Sequence, residues 1–299
     1  MEHRRRKVFR EGNKTATVLM YAAAALLALV CIYPIYYVLI MSLSEAKYVV
    51  AGNVYWVPRG FNLDPYKVLV RDGKMWRAYA NTILYTAVNT VLNLAFSTTI
   101  AYGLCYKKLI GKKFLTMYLL IPMYISGGMI PLFLLIMRLG IYDSPFSLIL
   151  PNLVGITNII MIRSYFRTVP GSLEDAARID GAGVIQVLVN VFIPLSKPIF
   201  AVLAVYSIVG NWNSWLGAML YLPHEQWHPL QMYLRKLLVN NDVKSLTSVM
   251  ASMEAAKREM SNTQLKYAMI IFTSLPVLFT YPFFQKYFVK GMVLGSLKE

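Results

Sequence analysis

Apolar runs of twenty residues or more recur along this chain, and they constrain its fold more than any other feature. A helix of that length spans the roughly 30 Å hydrocarbon core of a bilayer. Six such spans are predicted, at about 17–43, 79–106, 113–137, 146–166, 191–219 and 266–290. The expected fold class is an all-α integral membrane protein with a single transmembrane domain. Composition agrees, because only 15% of residues are charged and 57% are hydrophobic, whereas soluble domains carry about a quarter charged residues.

Charge orients the spans. Arg4, Arg5, Arg6, Lys7, Arg10 and Lys14 precede the first run, which argues for a cytoplasmic N-terminus by the positive-inside rule. Six crossings then place Lys107, Lys108, Lys112 and Lys113, the loop at about 167–190 and the C-terminal tail on the same side. The loops at about 44–78 and 220–265 fall outside. The first apolar run is too long for a secretory h-region and is read as a retained span. The net charge of +16 follows from this topology and from contact with anionic lipid. No basic soluble module for nucleic acid is present. Cys31 and Cys105 do not make a disulfide framework.

Within the spans, the second is rich in Asn, Thr, Ser and Ala, which predicts close helix packing in a bundle core. The third is interrupted by Pro122, Gly127, Gly128 and Pro131, and the backbone such breaks free must be satisfied by protein or by a water-lined cavity. The fifth ends in GNWNSWLGAML. Asn211, Trp212, Asn213 and Trp215 combine amide hydrogen bonding with indole faces, a chemistry suited equally to a sugar ring and to an interfacial aromatic belt.

Three patterns bear on mechanism. His224, Glu225 and His228 match the His-Glu-x-x-His pattern of zinc proteases. Pro223 and Pro229 leave room for one helical turn at most, so a membrane metalloprotease is the weaker alternative. No phosphate-binding G-x-x-x-x-G-K-[ST] loop occurs, and the spans lack the paired acidic or His residues common in ion-coupled carriers. The chain is therefore a passive channel or self-sufficient carrier, or it is driven by a partner.

The polar island between the fourth and fifth spans, VPGSLEDAARIDGAGVIQVLVNVFIPLSKP, favours the last of these. Pro170 and Gly171 break the chain, Ser172 is predicted to cap a helix with Asp175 in a short capping box, and Glu174 and Arg178 stand four apart in the favourable order. Ala176, Ala177, Gly181, Ala182 and Gly183 predict a bare face for a close-approaching protein. The island also resembles the signature loop of ABC importer permeases, E-A-A-x3-G-x9-I-x-L-P. Asp175-Ala176-Ala177, Gly181, Val191, Ile193 and Pro194 keep that spacing, with Asp for the leading Glu, Val for Ile and Ile for Leu. IPMYISGGMIPLFLLIMRLGIYDS, GNWNSWLGAMLYL, HPLQMYLR and YPFFQKYFVKGMVLGSLK extend the likeness to the sugar-importer branch, the maltose-permease type. Within it they resemble the permeases for complex oligosaccharides such as aldouronates and alginate.

The resemblance implies an ABC type I importer-like permease in the bacterial cytoplasmic (inner) membrane. Its implied partners are a second, homologous permease, two cytoplasmic ATPase subunits and an extracytoplasmic solute-binding protein, with an oligosaccharide as cargo. ATP and Mg would be bound by the ATPases, and no cofactor or metal by this chain, which is not itself an enzyme. Ser172, Glu174, Asp175, Ala176, Ala177, Arg178, Asp180, Gly181 and Pro194 would couple to the ATPases. Asn211, Trp212, Asn213 and Trp215 are the substrate-pathway candidates. The loop at about 220–265 would meet the binding protein, and the tail Gly291–Glu299 would touch the ATPases. The excess of Lys and Arg in the outer loops favours an acidic sugar.

Overall fold

A computed structural model describes residues 14–106, 109–239 and 262–280 of the chain. Among them the regular structure is helical, with one isolated antiparallel bridge between Ser44 and Phe61. They divide into two compact units, Met1–Arg71 with Val243–Phe272 and Asp72–Asp242 with Thr273–Glu299, as far as each is described.

The first unit holds α1 (Lys14–Leu43), α2 (Ala46–Val50), α3 (Asp64–Arg71) and the first part of a helix over 262–280. α1 is apolar on every side and almost wholly exposed from Thr15 to Ile35, the pattern of a helix solvated by lipid or by another subunit. Its far end is anchored. Ile40 and Met41 pack with Val49 and Val54, the Asn62 N–H donates to the Leu43 carbonyl at 2.9 Å, and the Ser42 hydroxyl meets the Tyr66 hydroxyl at 2.7 Å.

The second unit is built on α4 (Gly73–Cys105), an unbroken span-length helix. Around it lie α5 (Lys112–Tyr124), α6 (Met129–Arg138), α7 (Phe146–Ile149), α8 (Ile156–Phe166), α9 (Gly171–Ile179), α10 (Val184–Val187), α11 (Ile193–Leu195), α12 (Lys197–Trp212), α13 (Leu216–Tyr221) and α14 (Leu230–Val239). α8 and α12 pack along α4.

Three apolar stretches are bent rather than straight, and each bend has a sequence cause. α5 meets α6 at 112°, after Pro122 and across Gly128, whose φ of 86° suits glycine alone. The pair Phe146–Asn152 and α8 is bent by 41° around Pro151. The segment Val184–Leu195 meets α12 at 79°. Pro194 and Pro198 flank that corner and supply no N–H to the helix, and a π-helical stretch, Leu188–Phe192, precedes Pro194.

The broken backbone is satisfied by one face of α4. Thr82, Thr86, Asn89, Thr90, Asn93, Ser97 and Thr98 are all buried at helical spacing. Asn93 Nδ2 donates to the Asn152 carbonyl at 2.7 Å and Asn89 Nδ2 to the Leu148 carbonyl at 3.4 Å. Asn158 Nδ2 returns a bond to Asn93 Oδ1 at 2.7 Å. The packing role predicted for the second span is filled by hydrogen bonds as well as by small residues. Carbonyls that a broken helix leaves open within a membrane need such partners.

Candidate functional site

Two places in the second unit carry the functional argument, the polar island and a cavity against α4. The island folds as α9, a corner, and α10. Ser172 does not cap α9. The Pro170 carbonyl already accepts the Leu173 N–H at 3.1 Å, so the helix starts at Gly171 and Ser172 lies inside its first turn. Pro170 occupies the cap position with φ −58° and ψ 129°, an extended geometry that proline pre-sets. Glu174 and Arg178 form the predicted pair, Nη2 to Oε1 at 2.9 Å and Nε to Oε1 at 3.1 Å. The guanidinium lies 5.5 Å from the Tyr106 ring centroid, which ties α9 to the end of α4. The Glu174 carboxylate raises the Arg178 pKa above its ordinary value.

The C-terminus of α9 shows why a glycine stands at 181. Gly181 has φ +84°. The Ala182 N–H reaches the Ala177 carbonyl at 2.9 Å and the Gly181 N–H reaches the Arg178 carbonyl at 3.1 Å. This is a complete Schellman cap, which requires a left-handed residue at that position. Gly183 then starts α10, its N–H bonded to Gln186 Oε1 at 2.7 Å.

The small residues do not share one outward face, as their spacing alone predicted. Ala177 and Ala182 pack inward on the core of Tyr102, Phe166, Val187 and Phe192, whose rings meet edge-on at 5.1–6.4 Å. The helix must rest on its own bundle before it can bear on anything else. Outward stand Ser172, Asp175, Ala176, Asp180 and Gly181. With them are three apolar residues the motif reading did not single out, Leu173, Ile179 and Ile185, the last two 86% and 75% exposed. The signal that could have found them is apolar side chains spaced through a polar loop. Pro194 lies at the α11 corner.

The cavity, of about 120 Å³, is lined by Thr82, Tyr85, Asn89, Asn152, Asn211, Tyr221 and their neighbours. Asn89 Oδ1 is buried without a hydrogen-bond partner, an acceptor left over for a water or a ligand hydroxyl. Of the pathway candidates, Asn211 alone lines this space, its amide donating to the Ser207 carbonyl at 2.8 Å. Trp212 is 5% exposed, donates Nε1–H to the Thr273 carbonyl at 3.0 Å and meets Tyr79 edge-on at 5.8 Å. Its ring offers no open face for a sugar. Asn213 and Trp215 are exposed; Asn213 Oδ1 accepts from Gln231 at 3.5 Å and Arg235 lies over the Trp215 ring at 4.1 Å. Asn89, Asn152 and Tyr85 were missed as site residues because only the fold brings α4 and the α7–α8 break to Asn211.

A strap closes the cavity on the Pro229 side. Asn81 Nδ2 donates to the Gln226 and His228 carbonyls at 2.8 and 3.1 Å. The Tyr85 hydroxyl donates to the Trp227 carbonyl at 3.1 Å, and Thr82 Oγ1 accepts the Leu230 N–H at 2.7 Å. This strap uses the side chains of the protease-like pattern structurally. Glu225–Trp227 is a single 3-10 turn. His224 pairs with Asp143, Glu225 with Lys236 at 2.9 Å and Lys74 at 3.4 Å, and His228 Nε2 with the Leu222 carbonyl at 2.8 Å. No group of three metal-ligating side chains occurs among the described residues. Glu254 and Glu259, further carboxylates of the 220–265 loop, lie outside the described residues, as do Arg4, Arg5, Arg6, Lys7, Arg10 and the tail Gly291–Glu299.

The strap carries a pH dependence. Burial pushes the His228 pKa below its ordinary 6.5, and the Lys236 ammonium holds the Glu225 carboxyl below its ordinary 4.5. The unfolded chain therefore binds more protons than the folded one as pH falls through about 6.5, and the stabilisation present above that value is lost below it. The temperature of thermal unfolding of the purified protein is expected to fall between about pH 7.5 and pH 5.5. A His228→Gln variant is expected to flatten that slope above pH ~5.5. An unchanged slope in the variant would remove His228 as the cause.

The arrangement is that of a transport subunit, in which a polar cavity sits inside broken helices and a rigidly capped helix presents an outward face. Residues 94–294 match the family described as "Binding-protein-dependent transport system inner membrane component". The chain belongs to that family, whose members are permease subunits and not enzymes. It is 32% identical to the polygalacturonan/rhamnogalacturonan transport system permease protein YtcP of Bacillus subtilis, over 96% of this chain and 99% of the relative. It also matches the crystal structure of a bacterial ABC transporter involved in the import of the acidic polysaccharide alginate. That match has a TM-score of 0.83 and 32% identity, over 92% of this chain and 97% of that one. A bacterial alginate ABC transporter in complex with an alginate pentasaccharide-bound periplasmic protein matches in fold alone, at a TM-score of 0.56 and 16% identity, over 90% and 93% of the two chains.

Proposed function

We propose that this chain is one of two homologous permeases in an ATP-driven importer of oligosaccharides, with carboxylate-bearing oligomers as the favoured cargo. The observation that carries the reading is the capped α9–Gly181–α10 corner. Its outward Leu173, Ile179 and Ile185 form an apolar docking face beside Asp175 and Asp180, seated on the bundle core through Ala177 and Ala182. Two cytoplasmic ATPases, which bind ATP and Mg, press on this face and rock the permease pair between inward- and outward-facing states. The termini and the α9 corner lie in the cytoplasm; the strap and the 220–265 segment face the solute-binding protein. The relatives' cargoes, polygalacturonan/rhamnogalacturonan and alginate, support the acidic sugar. The basic outer loops support it further, as long as salt does not screen them.

Asn211, with Asn89 and Asn152, forms the polar wall of the pathway; Trp212 holds that wall, and Asn213 and Trp215 stand at its rim. The test is reconstitution in proteoliposomes. With permease partner, ATPases and binding protein, uptake of a uronate oligomer is expected to require ATP. Asn211→Ala and Asn213→Ala are expected to reduce it by about ten-fold or less, the range of one or two lost hydrogen bonds. Uptake by this chain alone would overturn the reading in favour of a self-sufficient carrier. Normal uptake by both variants would remove them from the pathway.

A further inference from the structure

An open groove of about 470 Å³, with mainly apolar walls and a cationic rim, lies between the start of α5 and the end of α8, lined by Lys112, Lys113, Thr116, Met117, Leu120, Arg163 and Arg167. Four cations share it. None of them forms an ion pair among the described residues, and Glu174 on the neighbouring α9 is already held by Arg178. Their neutral contacts are few: Lys112 Nζ donates to the Cys105 carbonyl at 3.3 Å and Arg163 Nη1 to Thr116 Oγ1 at 3.2 Å. Arg163 Nε is buried and has no hydrogen-bond partner.

Such an arrangement is unfavourable without an anion. Lys112 and Lys113 are the first two residues of α5, where the helix dipole already carries positive charge, and like charges around one space repel. A buried guanidinium N–H without an acceptor is destabilising. A phosphate group would answer all three, since it offers several acceptors to Arg and Lys and suits a helix N-terminus. The remaining lining selects the source of that phosphate. Met117 and Leu120 continue the groove onto α5, whose Phe114, Met117, Tyr118 and Ile121 are exposed apolar residues, so an acyl chain has a surface to follow from the cationic collar into the hydrocarbon. A free phosphate has no use for that surface.

We propose that Lys112, Lys113, Arg163 and Arg167 form a binding site for the phosphate headgroup of an anionic lipid, with its acyl chain laid along α5. The site rests on the membrane orientation proposed above, which puts it at the cytoplasmic leaflet beside the α9 corner; it does not depend on which sugar is carried. A lipid held there would brace α5 against α8, directly under the helix that meets the ATPases.

The test uses the assembled transporter in phosphatidylcholine nanodiscs, titrated with phosphatidylglycerol and read by native mass spectrometry. Wild type is expected to retain phosphatidylglycerol. Each cation near the surface contributes about five-fold, so Lys113→Gln with Arg167→Gln is expected to bind it about thirty-fold more weakly. Both side chains are exposed, and assembly of the variant complex provides the folding control; Lys112→Gln with Lys113→Gln is a second pair. Undiminished lipid retention in both pairs would overturn the site. Displacement of the lipid by inorganic phosphate at equal concentration would show an anion site without a lipid preference and overturn the lipid assignment. Crosslinking of a Lys113→Cys variant to a partner subunit would show the groove covered by protein and overturn it as well. Failure of sugar uptake with lipid retention intact would count against the cargo reading alone.

Discussion

Replacing Gly181 by valine is expected to lower coupled transport by more than ten-fold while leaving the spans folded. The reason is backbone geometry. A Cβ at Gly181 would meet nothing within 4 Å, yet the residue holds φ +84°. A left-handed conformation costs an L-residue about 1–2 kcal/mol, and β-branching adds to that. Relaxing it would break the Ala182–Ala177 and Gly181–Arg178 bonds, each worth roughly 1 kcal/mol. The corner between α9 and α10 would then open. The exposed Leu173, Ile179 and Ile185 would change their placement relative to one another, and force from an ATPase would reach the core of Tyr102, Phe166 and Phe192 poorly. Asparagine tolerates the left-handed region, so Gly181→Asn is expected to keep most of the activity although it is larger than alanine. The measurement is ATP hydrolysis and sugar uptake in the same proteoliposomes. Hydrolysis without uptake in the valine variant, with recovery in the asparagine variant, is the expected pattern. If valine and asparagine behave alike, steric exclusion at the interface, and not the cap, explains the glycine.

The second large effect is expected at Asn93. Its amide donates to the Asn152 carbonyl and accepts from Asn158, both at 2.7 Å, so one side chain closes the break between α7 and α8 against α4. Asn93→Leu keeps the volume and removes both bonds. It leaves the Asn152 carbonyl and the Asn158 amide, both in part-buried bonds, without these partners, which costs about 1–3 kcal/mol. A lower unfolding temperature and reduced recovery of the assembled transporter are expected. Gly155→Ala should reproduce a weaker form, because its Cβ would stand 3.1 Å from both Asn93 Nδ2 and Asn158 Nδ2. An Asn93→Leu protein as stable as wild type would mean that water satisfies the break and that the polar stripe of α4 serves the pathway, not the scaffold.

Both predictions concern residues whose types were legible beforehand, but with different completeness. Gly181 was found by spacing, and its physical cause is local, since the cap bonds join residues within five positions. The polar content of α4 was legible as packing material, whereas its partners were not. Leu148, Asn152 and Asn158 are 59–65 positions away, and no pattern along the chain records which broken helix meets which asparagine. Trp212 makes the same point in reverse. Its neighbours in the sequence read as a sugar-binding cluster, but the Thr273 carbonyl, 61 positions on, takes its N–H and buries the ring. His224, Glu225 and His228 match a catalytic pattern, but their side chains pair with Asp143, with Lys236 and Lys74, and with the Leu222 carbonyl and serve structure.

By itself the sequence determined the membrane character, the break in the third span, the polar helix-bearing island and the family. These depend on hydropathy, on proline and glycine, and on hydrogen bonds that close within a turn or two. The bends at Pro151 and beside Pro194, in contrast, fall inside stretches it read as continuous spans. Only the tertiary structure decided that Ala177 and Ala182 pack inward, that Leu173, Ile179 and Ile185 are left exposed, and that Asn211 shares a cavity with Asn89 and Asn152. The same holds for the four unpaired cations gathered between α5 and α8. Each of these is a matter of which surfaces meet once bent helices pack on α4, and packing joins residues that the chain keeps far apart.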